Sequence, residues 1–195
     1  SKSETEVALN WQNTFGGSDT DLGLSINKTT DGGYIIAGSS NSFGNDYAAY
    51  LIKTDSIGNE IWTKNFDNDQ GSYNMGLSAI ETSHDGGYAL VGYTRSINNQ
   101  EDVLLIKTDS LGNEIWSKDF GGDRSDEGYC LIESNDGSLV ITGHTYSYGG
   151  QYGDIWVIKT DMNGDTLWTS TIGVGVSSGG RSITQTSDGG FIITG

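Results

Sequence analysis

Short apolar alternations, broken by Gly, Asp and Asn, run the length of this chain, and nowhere is a helical period sustained. Between residues 24 and 66 the pattern predicts four strands: LSINKTT (24–30), YIIAGSS (34–40), AAYLIKT (48–54) and EIWTKNF (60–66). Asp31-Gly32 joins the first two. Asp-Gly between apolar alternations is a strong hairpin signal, because Gly takes the positive φ that such turns need. Residues 41–47 form a longer polar loop, and Asp55-Ser56-Ile57-Gly58-Asn59 a second tight turn. Ahead of them VALNWQNTF (7–15) has the pattern of a closing strand, with Trp11 and Phe15 on one side of it. The prediction is an all-β chain.

The pattern then returns. DGGYIIAG (31–38) recurs as DGGYALVG (85–92), DGSLVITG (136–143) and DGGFIITG (188–195). LIKTDSIGNEIW (51–62) recurs as LIKTDSLGNEIW (105–116) and VIKTDMNGDTLW (157–168). The opening aspartates lie 54, 51 and 52 residues apart, and Trp11, Trp62, Trp116 and Trp168 lie 51, 54 and 52 apart. A period of about fifty residues marks a propeller or solenoid, and two hairpins per repeat force antiparallel pairing, against a parallel solenoid. The expected architecture is a β-propeller of four-stranded antiparallel blades at 23–66, 76–120 and 128–172, with a partial blade at 180–195 and a lone outer strand at 7–15. That is about three and a half blades in a single domain over 7–195, behind a flexible N-terminus at 1–6. Closure by mixed termini would need a further third strand, so the expectation is part of a larger propeller.

Composition narrows the classes. The 195 residues allow one domain or two, and the repeat favours one. Only 34% are apolar, but 10 Tyr, 5 Trp and 5 Phe can fill a core of small repeated layers. With 30 Gly and no Pro the chain suits many tight hairpins. The formal charge of −16 argues against nucleic acid and anionic membranes, which need a cationic face. One cysteine excludes an intrachain disulfide framework, and no apolar run approaches the ~18 residues of a transmembrane helix.

The phrases DGGYIIAG and IKTDSIGNEIW resemble a repeat common in secreted and surface-attached bacterial and archaeal proteins with β-propeller domains. The resemblance covers about residues 10–195 and implies the fold and an extracellular or cell-surface setting. The Asp-x-x-Gly-x-x-x-Trp segment is also similar to the tryptophan-docking motif of quinoprotein propellers, shortened by one residue. It resembles, less closely, the Asp-box of sialidase-type propellers. Both likenesses concern how blades pack and imply no cofactor. Asp102 and Asp154 precede the third strand in two blades where Ala48 stands in the first, so a ligand needing all three carboxylates departs from the repeat. SKSETE (1–6) would suit the acidic tether behind the lipidated cysteine of a surface lipoprotein.

Candidate chemistry is sparse. Asp55, Asp109 and Asp161 sit in tight turns, and hard oxygen ligands in a loop suit calcium, but recurrence at every such turn favours an Asp-capped turn. The loops GGSDTD (16–21), DNDQGSYN (67–74) and GGDRSDE (121–127) read as a solvated acidic rim or a site in one blade. His84 and His144 read as exposed loop histidines without metal-ligand spacing. Cys130 occupies the small-residue slot of Ser25, Ala79 and Ser182, which favours packing over nucleophilic chemistry. No carboxylate pair stands apart for acid–base work, and no polar residue stands clear of the repeat along the axial funnel.

The longest variable loops are SNSFGNDYA (40–48), TRSINNQED (94–102) and TYSYGGQYGD (145–154), and propeller geometry puts them on one face. Phe43 and Tyr47 in the first, with Tyr146, Tyr148 and Tyr152 in the third, are the candidate ligand-binding residues; exposed aromatics beside amides suit stacking on sugars or anchoring a protein, and the alternative is that they pack the loops down. The expectation is a non-catalytic extracellular or bacterial cell-surface module, binding a protein or glycan without cofactor, metal or nucleic acid. The alternatives are the propeller domain of a glycan hydrolase or lyase, and a structural spacer.

Overall fold

The computed structural model describes residues 11–44, 47–67, 73–95, 100–173 and 175–195. These residues form strands and no helix. The first sheet is β1 (Asp21–Lys28), β2 (Tyr34–Ser40), β3 (Ala48–Thr54) and β4 (Glu60–Phe66). The second is β5 (Tyr73–Glu81), β6 (Tyr88–Arg95), β7 (Glu101–Thr108) and β8 (Glu114–Phe120). The third is β9 (Asp126–Glu133), β10 (Leu139–Thr145), β11 (Asp154–Thr160) and β12 (Thr166–Ile172), and a hairpin of β13 (Ser182–Gln185) and β14 (Phe191–Thr194) follows. Each sheet is an antiparallel meander in chain order, and the described residues close no ring. Predicted and observed strands coincide for β2, β3 and β4, whereas β1 starts earlier, because Asp21 still pairs with Ser40 beyond the apolar run. Of the expected outer strand, 7–10 and the terminus 1–6 lie outside the described residues. Residues 11–15 pair with no strand; the Asn13 side chain donates instead to the Gly58 carbonyl in the β3–β4 turn.

The middle strands of each sheet are buried on both faces because the sheets stack face to face. Ile35 and Leu51 of the first sheet meet Leu90 and Leu104 of the second. On the opposite face Val91 and Leu105 meet Leu131 and Ile141 of the third, whose Val140 and Val157 meet Ile183 of the hairpin. Each such side chain contributes roughly 1.5–3 kcal/mol by leaving water. This stacking sets the first strands β1, β5, β9 and β13 beside one another in sequence order.

Two recurring contacts hold successive sheets in phase. A Cβ added at Gly58 would lie 2.3 Å from the Trp11 ring, at Gly112 2.7 Å from Trp62, and at Gly164 2.8 Å from Trp116. Each tryptophan therefore rests on the turn glycine of the next sheet, a place only glycine can leave open. Trp11 and Trp62, and Trp168 after them, also meet the aromatic that follows the next Asp-Gly-Gly: Trp11 with Tyr34 at 6.0 Å, Trp62 with Tyr88 at 5.4 Å, Trp168 with Phe191 at 6.2 Å. Carboxylates of the following first strand also cap the preceding hairpin turn, with Glu81 accepting from Thr30 N at 2.7 Å and Glu133 from Ser83 N at 2.7 Å.

Within each sheet a lysine of the third strand crosses to the aspartate of the first turn. Lys53 Nζ lies 2.8 Å from Asp31 Oδ2 and donates to the Thr54 carbonyl at 2.8 Å; Lys107 does the same with Asp85 (2.7 Å) and Thr108 O (2.9 Å). These lysine side chains are 4% and 2% exposed. Space for the ammonium comes from Gly33 and Gly87, where a Cβ would sit 2.6 Å from Nζ. Ser138 stands there in the third sheet, and Lys159 reaches Asp136 at 2.6 Å from a more open position, 12% exposed.

Hydrogen bonds from Lys53 and then Thr29 hold the Asp31 carboxyl at about 2. Burial pushes Asp85 up, but Lys107, Thr82 and Gly87 outweigh it, again giving about 2. Both lie below the ordinary aspartate value of about 3.9, so the stabilisation they contribute is complete above that value and is lost as pH falls through it towards 2. The aspartates are 56% and 40% exposed, so solvent screening keeps the effect modest. Urea midpoints of the wild type are expected to fall between about pH 4 and pH 2, with a shallower fall in Asp31→Asn and Asp85→Asn; an unchanged slope in both variants would remove the pairs from the acid response.

Candidate functional site

The first strands of the three four-stranded sheets, β1, β5 and β9, each carry a β-bulge next to a glycine. Gly23 pairs with Gly38 and Ser25 with Ala37, so Leu24 is left over; Gly76 and Ser78 bracket Leu77, and Gly128 and Cys130 bracket Tyr129 in the same way. The close approach needed at each bulge explains the glycine that ends each long phrase. A Cβ at Gly38, Gly92 or Gly143 would lie 1.7, 1.7 or 1.8 Å from the carbonyl oxygen of Leu22, Met75 or Glu127. Bulges re-aim side chains, and here they send the extra residue out along the row of first strands. In the hairpin the matching residue after Gly180 is Arg181, whose amide donates to Thr194 O at 2.7 Å.

Leu24, Met75, Leu77, Tyr93, Glu127, Tyr129 and Arg181 line one groove of about 400 Å³. Its composition changes along the row. Leu22 and Leu24 in the first sheet and Met75 and Leu77 in the second give way to Glu127 and Tyr129 in the third and to Arg181 in the hairpin. Sequence reasoning found no polar residue clear of the repeat on this side; aligned on the bulge glycine, three are. The Arg181 guanidinium lies 3.9 Å from the centre of the Tyr129 ring. Burial first, then the neighbouring Glu127 carboxylate, pushes the Tyr129 phenol well above its ordinary value. Tyr93 is raised to about 12, chiefly by burial, and its hydroxyl donates to Met75 Sδ at 2.8 Å. Both phenols stay protonated at neutral pH. A larger concavity, about 660 Å³, lies elsewhere, against Gln12, Asn13, Thr14 and Phe15 with Asn59 and Glu60; its lining is mostly polar and includes no first-strand residue.

An aromatic row connects this groove to the long loops. Tyr47 meets Tyr73 at 4.7 Å, Tyr73 stacks on Tyr93 at 6.3 Å, and the Arg95 guanidinium covers Tyr73 at 5.5 Å while pairing with Glu101. On the other side His144 meets Tyr146 edge-on at 4.4 Å, and Arg124 sits 5.2 Å over that ring. Burial lowers the His144 pKa, so its imidazole is held neutral.

The five predicted loop residues are not one site. Phe43 is exposed but stacks on Tyr50 at 5.8 Å. Tyr47 and Tyr146 are half-buried in the aromatic contacts above. Tyr148 packs on Trp156 at 5.0 Å, and its hydroxyl donates to the Gly121 carbonyl at 2.6 Å. Tyr152 is 57% exposed. Residues 45, 46 and 96–99 of the first two long loops lie outside the described residues.

The turn aspartates spend both carboxylate oxygens locally. Asp55 Oδ1 accepts from Ile57 N (2.9 Å) and Asn59 N (2.8 Å) while Oδ2 accepts from the Asn59 side-chain amide; Asp109 repeats the arrangement, and Asp161 repeats the Oδ1 contacts while its Oδ2 accepts from the Asn163 side chain. Among the described residues no three Asp, Glu, His or Cys side chains converge on a metal position. Cys130 is half-buried opposite Thr142. Its counterpart in the second sheet is Ser78, not Ala79, because the β5–β6 turn (82–87) holds one residue more than the turns at 29–33 and 134–138. Buried Asp126 binds the third long loop down, accepting from Gly122 N at 3.0 Å and Ser147 Oγ at 2.6 Å.

No family model matches the chain. Among curated proteins it is similar to the regulatory protein FlaEY of Caulobacter vibrioides, 26% identical over 106 residues, which is 48% of this chain and 11% of that protein.

The loop geometry separates two tyrosines. Tyr148→Phe is expected to lower stability by about 1 kcal/mol, the net value of one hydrogen bond, and Tyr152→Ala to change it by less than about 0.5 kcal/mol. Chemical denaturation of the two variants checks this; equal effects would contradict the placement.

Proposed function

We propose that the chain is a non-catalytic recognition module whose sheets are blades of a β-propeller, and that it binds a protein or glycan in an extracellular or bacterial cell-surface setting. The groove along β1, β5, β9 and β13, with the adjoining long loops, is its binding face. The observation that carries this reading is the polar break at Glu127, Tyr129 and Arg181 in a groove that is otherwise lined by Leu24, Met75 and Leu77 along the first strands. A concave, mainly apolar surface with a few convergent polar groups is the general character of a ligand site. Four-stranded antiparallel sheets in sequence, with first strands side by side, support the propeller reading. The absence of a helix long and apolar enough to cross a membrane, among the described residues, leaves the setting open to this proposal.

Catalysis fits the groove less well. Acid–base chemistry needs titratable groups whose environments push them apart around one reacting position. Here the phenols are raised out of the working range, and Glu127 is the one carboxylate among the described residues lining the groove.

A double variant, Tyr129→Leu with Arg181→Leu, places at both positions the leucine that follows the first-strand glycine in the first two sheets, and an unchanged circular dichroism spectrum checks that it folds. Wild type, this variant and Tyr152→Ala are compared on arrays of immobilised glycans and peptides. The reading expects retention of one ligand class by wild type and Tyr152→Ala, and its loss from the double variant. No retention by wild type, or chemical conversion of a bound array member, would overturn it.

A further inference from the structure

The chain holds 10 Lys and Arg against 26 Asp and Glu, yet among the described residues Arg124 and Arg181 form no ion pair, and each lies on a tyrosine ring. Lys53, Arg95, Lys107, Lys118 and Lys159 are all in ion pairs. Arg181 is in none among the described residues, although Glu127 lines the same groove. Its guanidinium instead lies on the Tyr129 ring at 3.9 Å. Stacking satisfies the flat face of a guanidinium and leaves its in-plane N–H edge unspent. A fork held in this way is pre-organised to take a planar two-oxygen acceptor through two parallel hydrogen bonds.

We infer that the groove receives the free C-terminal carboxylate of an extended protein segment with an apolar last residue, with Arg181 taking the carboxylate and Leu24, Met75 and Leu77 the side chain. This rests on the recognition reading above and names its ligand. Three observations select a peptide end over other anions. First, the chain carries −16, so a singly charged carboxylate approaches against half the repulsion met by a doubly charged phosphate. Second, sugars favour open aromatic faces, whereas Tyr129 carries Arg181, Tyr73 carries Arg95 and Tyr146 carries Arg124. Third, Leu24, Met75 and Leu77 give the lining an aliphatic, flexible stretch suited to an alkyl side chain. Glu127, in the same lining, supplies an acceptor for the backbone N–H groups leading to the terminus. Capture of a chain end by fixed donors is a recurring mode of peptide recognition.

The test is fluorescence anisotropy of the whole chain with peptides that differ only in the last residue, Leu or Asp, and in a free or amidated C-terminus. Binding of the free Leu peptide is expected, with amidation weakening it about 10- to 100-fold, the value of a charge-assisted hydrogen-bond pair. Arg181→Gln should weaken the free peptide by the same factor and leave the amidated one unchanged, and Arg181→Lys should restore only part. Unchanged far-ultraviolet circular dichroism and melting temperature would confirm that the variants fold. Equal binding of free and amidated peptides would overturn the inference. Binding of a glycan but of no peptide would also overturn it while leaving the recognition reading in place; binding of neither would overturn both.

Discussion

The structure depends on tryptophan rings that precede a sheet in the chain and rest on that sheet's turn glycine. Three such contacts are present, Trp11 on Gly58, Trp62 on Gly112 and Trp116 on Gly164, and each links elements about fifty residues apart. A large ring packed against a bare backbone both buries area and fixes phase. Any Cβ at the glycine would push the ring away, and the sheets would then slide or tilt. Because the contact repeats, the rotation from sheet to sheet repeats with it. The bulge residues of successive first strands then fall into a row.

The lysine clasp acts within a sheet as the tryptophan contact acts between sheets. Lys53 and Lys107 run through buried space and tie the third strand to the first turn, satisfying the ammonium with a carboxylate and a main-chain carbonyl. The scaffold so built is stiff where the repeat is strict. Variation is confined to the long loops and the bulge positions. That division of labour gives the groove its character: identical backbones present Leu24, Leu77 and Tyr129 at equivalent places, and a change of side chain alone turns an apolar row into a charged one.

Much of this was legible in the sequence, because strand length and turn chemistry are local. Asp-Gly turns and apolar runs located β2, β3 and β4 residue for residue, and the regular tryptophan spacing announced a repeating packing role. The bulge was not legible by alternation. Counting back from the Asp-Gly turn points to Ala79, but the β5–β6 turn holds one residue more than its counterparts, so Ser78 takes the slot of Ser25 and Cys130, while the bulge hides Tyr129 as an ordinary strand residue. The signal that would have exposed them is the Gly-x-Ser or Gly-x-Cys triplet, Gly23-Leu24-Ser25, Gly76-Leu77-Ser78, Gly128-Tyr129-Cys130 and Gly180-Arg181-Ser182. The clasp was also missed, since its partners lie 22 residues apart in the first two sheets and only the pairing register brings them together. Aromatic composition drew attention to the loop tyrosines, but whether a tyrosine is offered to solvent or packed on Trp156 depends on tertiary contacts that composition does not encode.

The most direct test of the account is a double-mutant cycle on the central contact, measuring unfolding free energies of Trp62→Ala, Gly112→Ala and the pair. Trp62→Ala should cost about 2–4 kcal/mol, less than a fully buried ring because Trp62 is partly exposed. Gly112→Ala should cost about 1–3 kcal/mol, combining the displaced ring with the strain of alanine at φ 76°. The backbone strain is the same with or without the ring and cancels in the cycle. If the ring and the glycine form one contact, the double variant loses it once and is less destabilised than the sum by about 1–2 kcal/mol. Additivity within about 0.5 kcal/mol would contradict the account, since it would mean that the ring and the turn stabilise the chain independently.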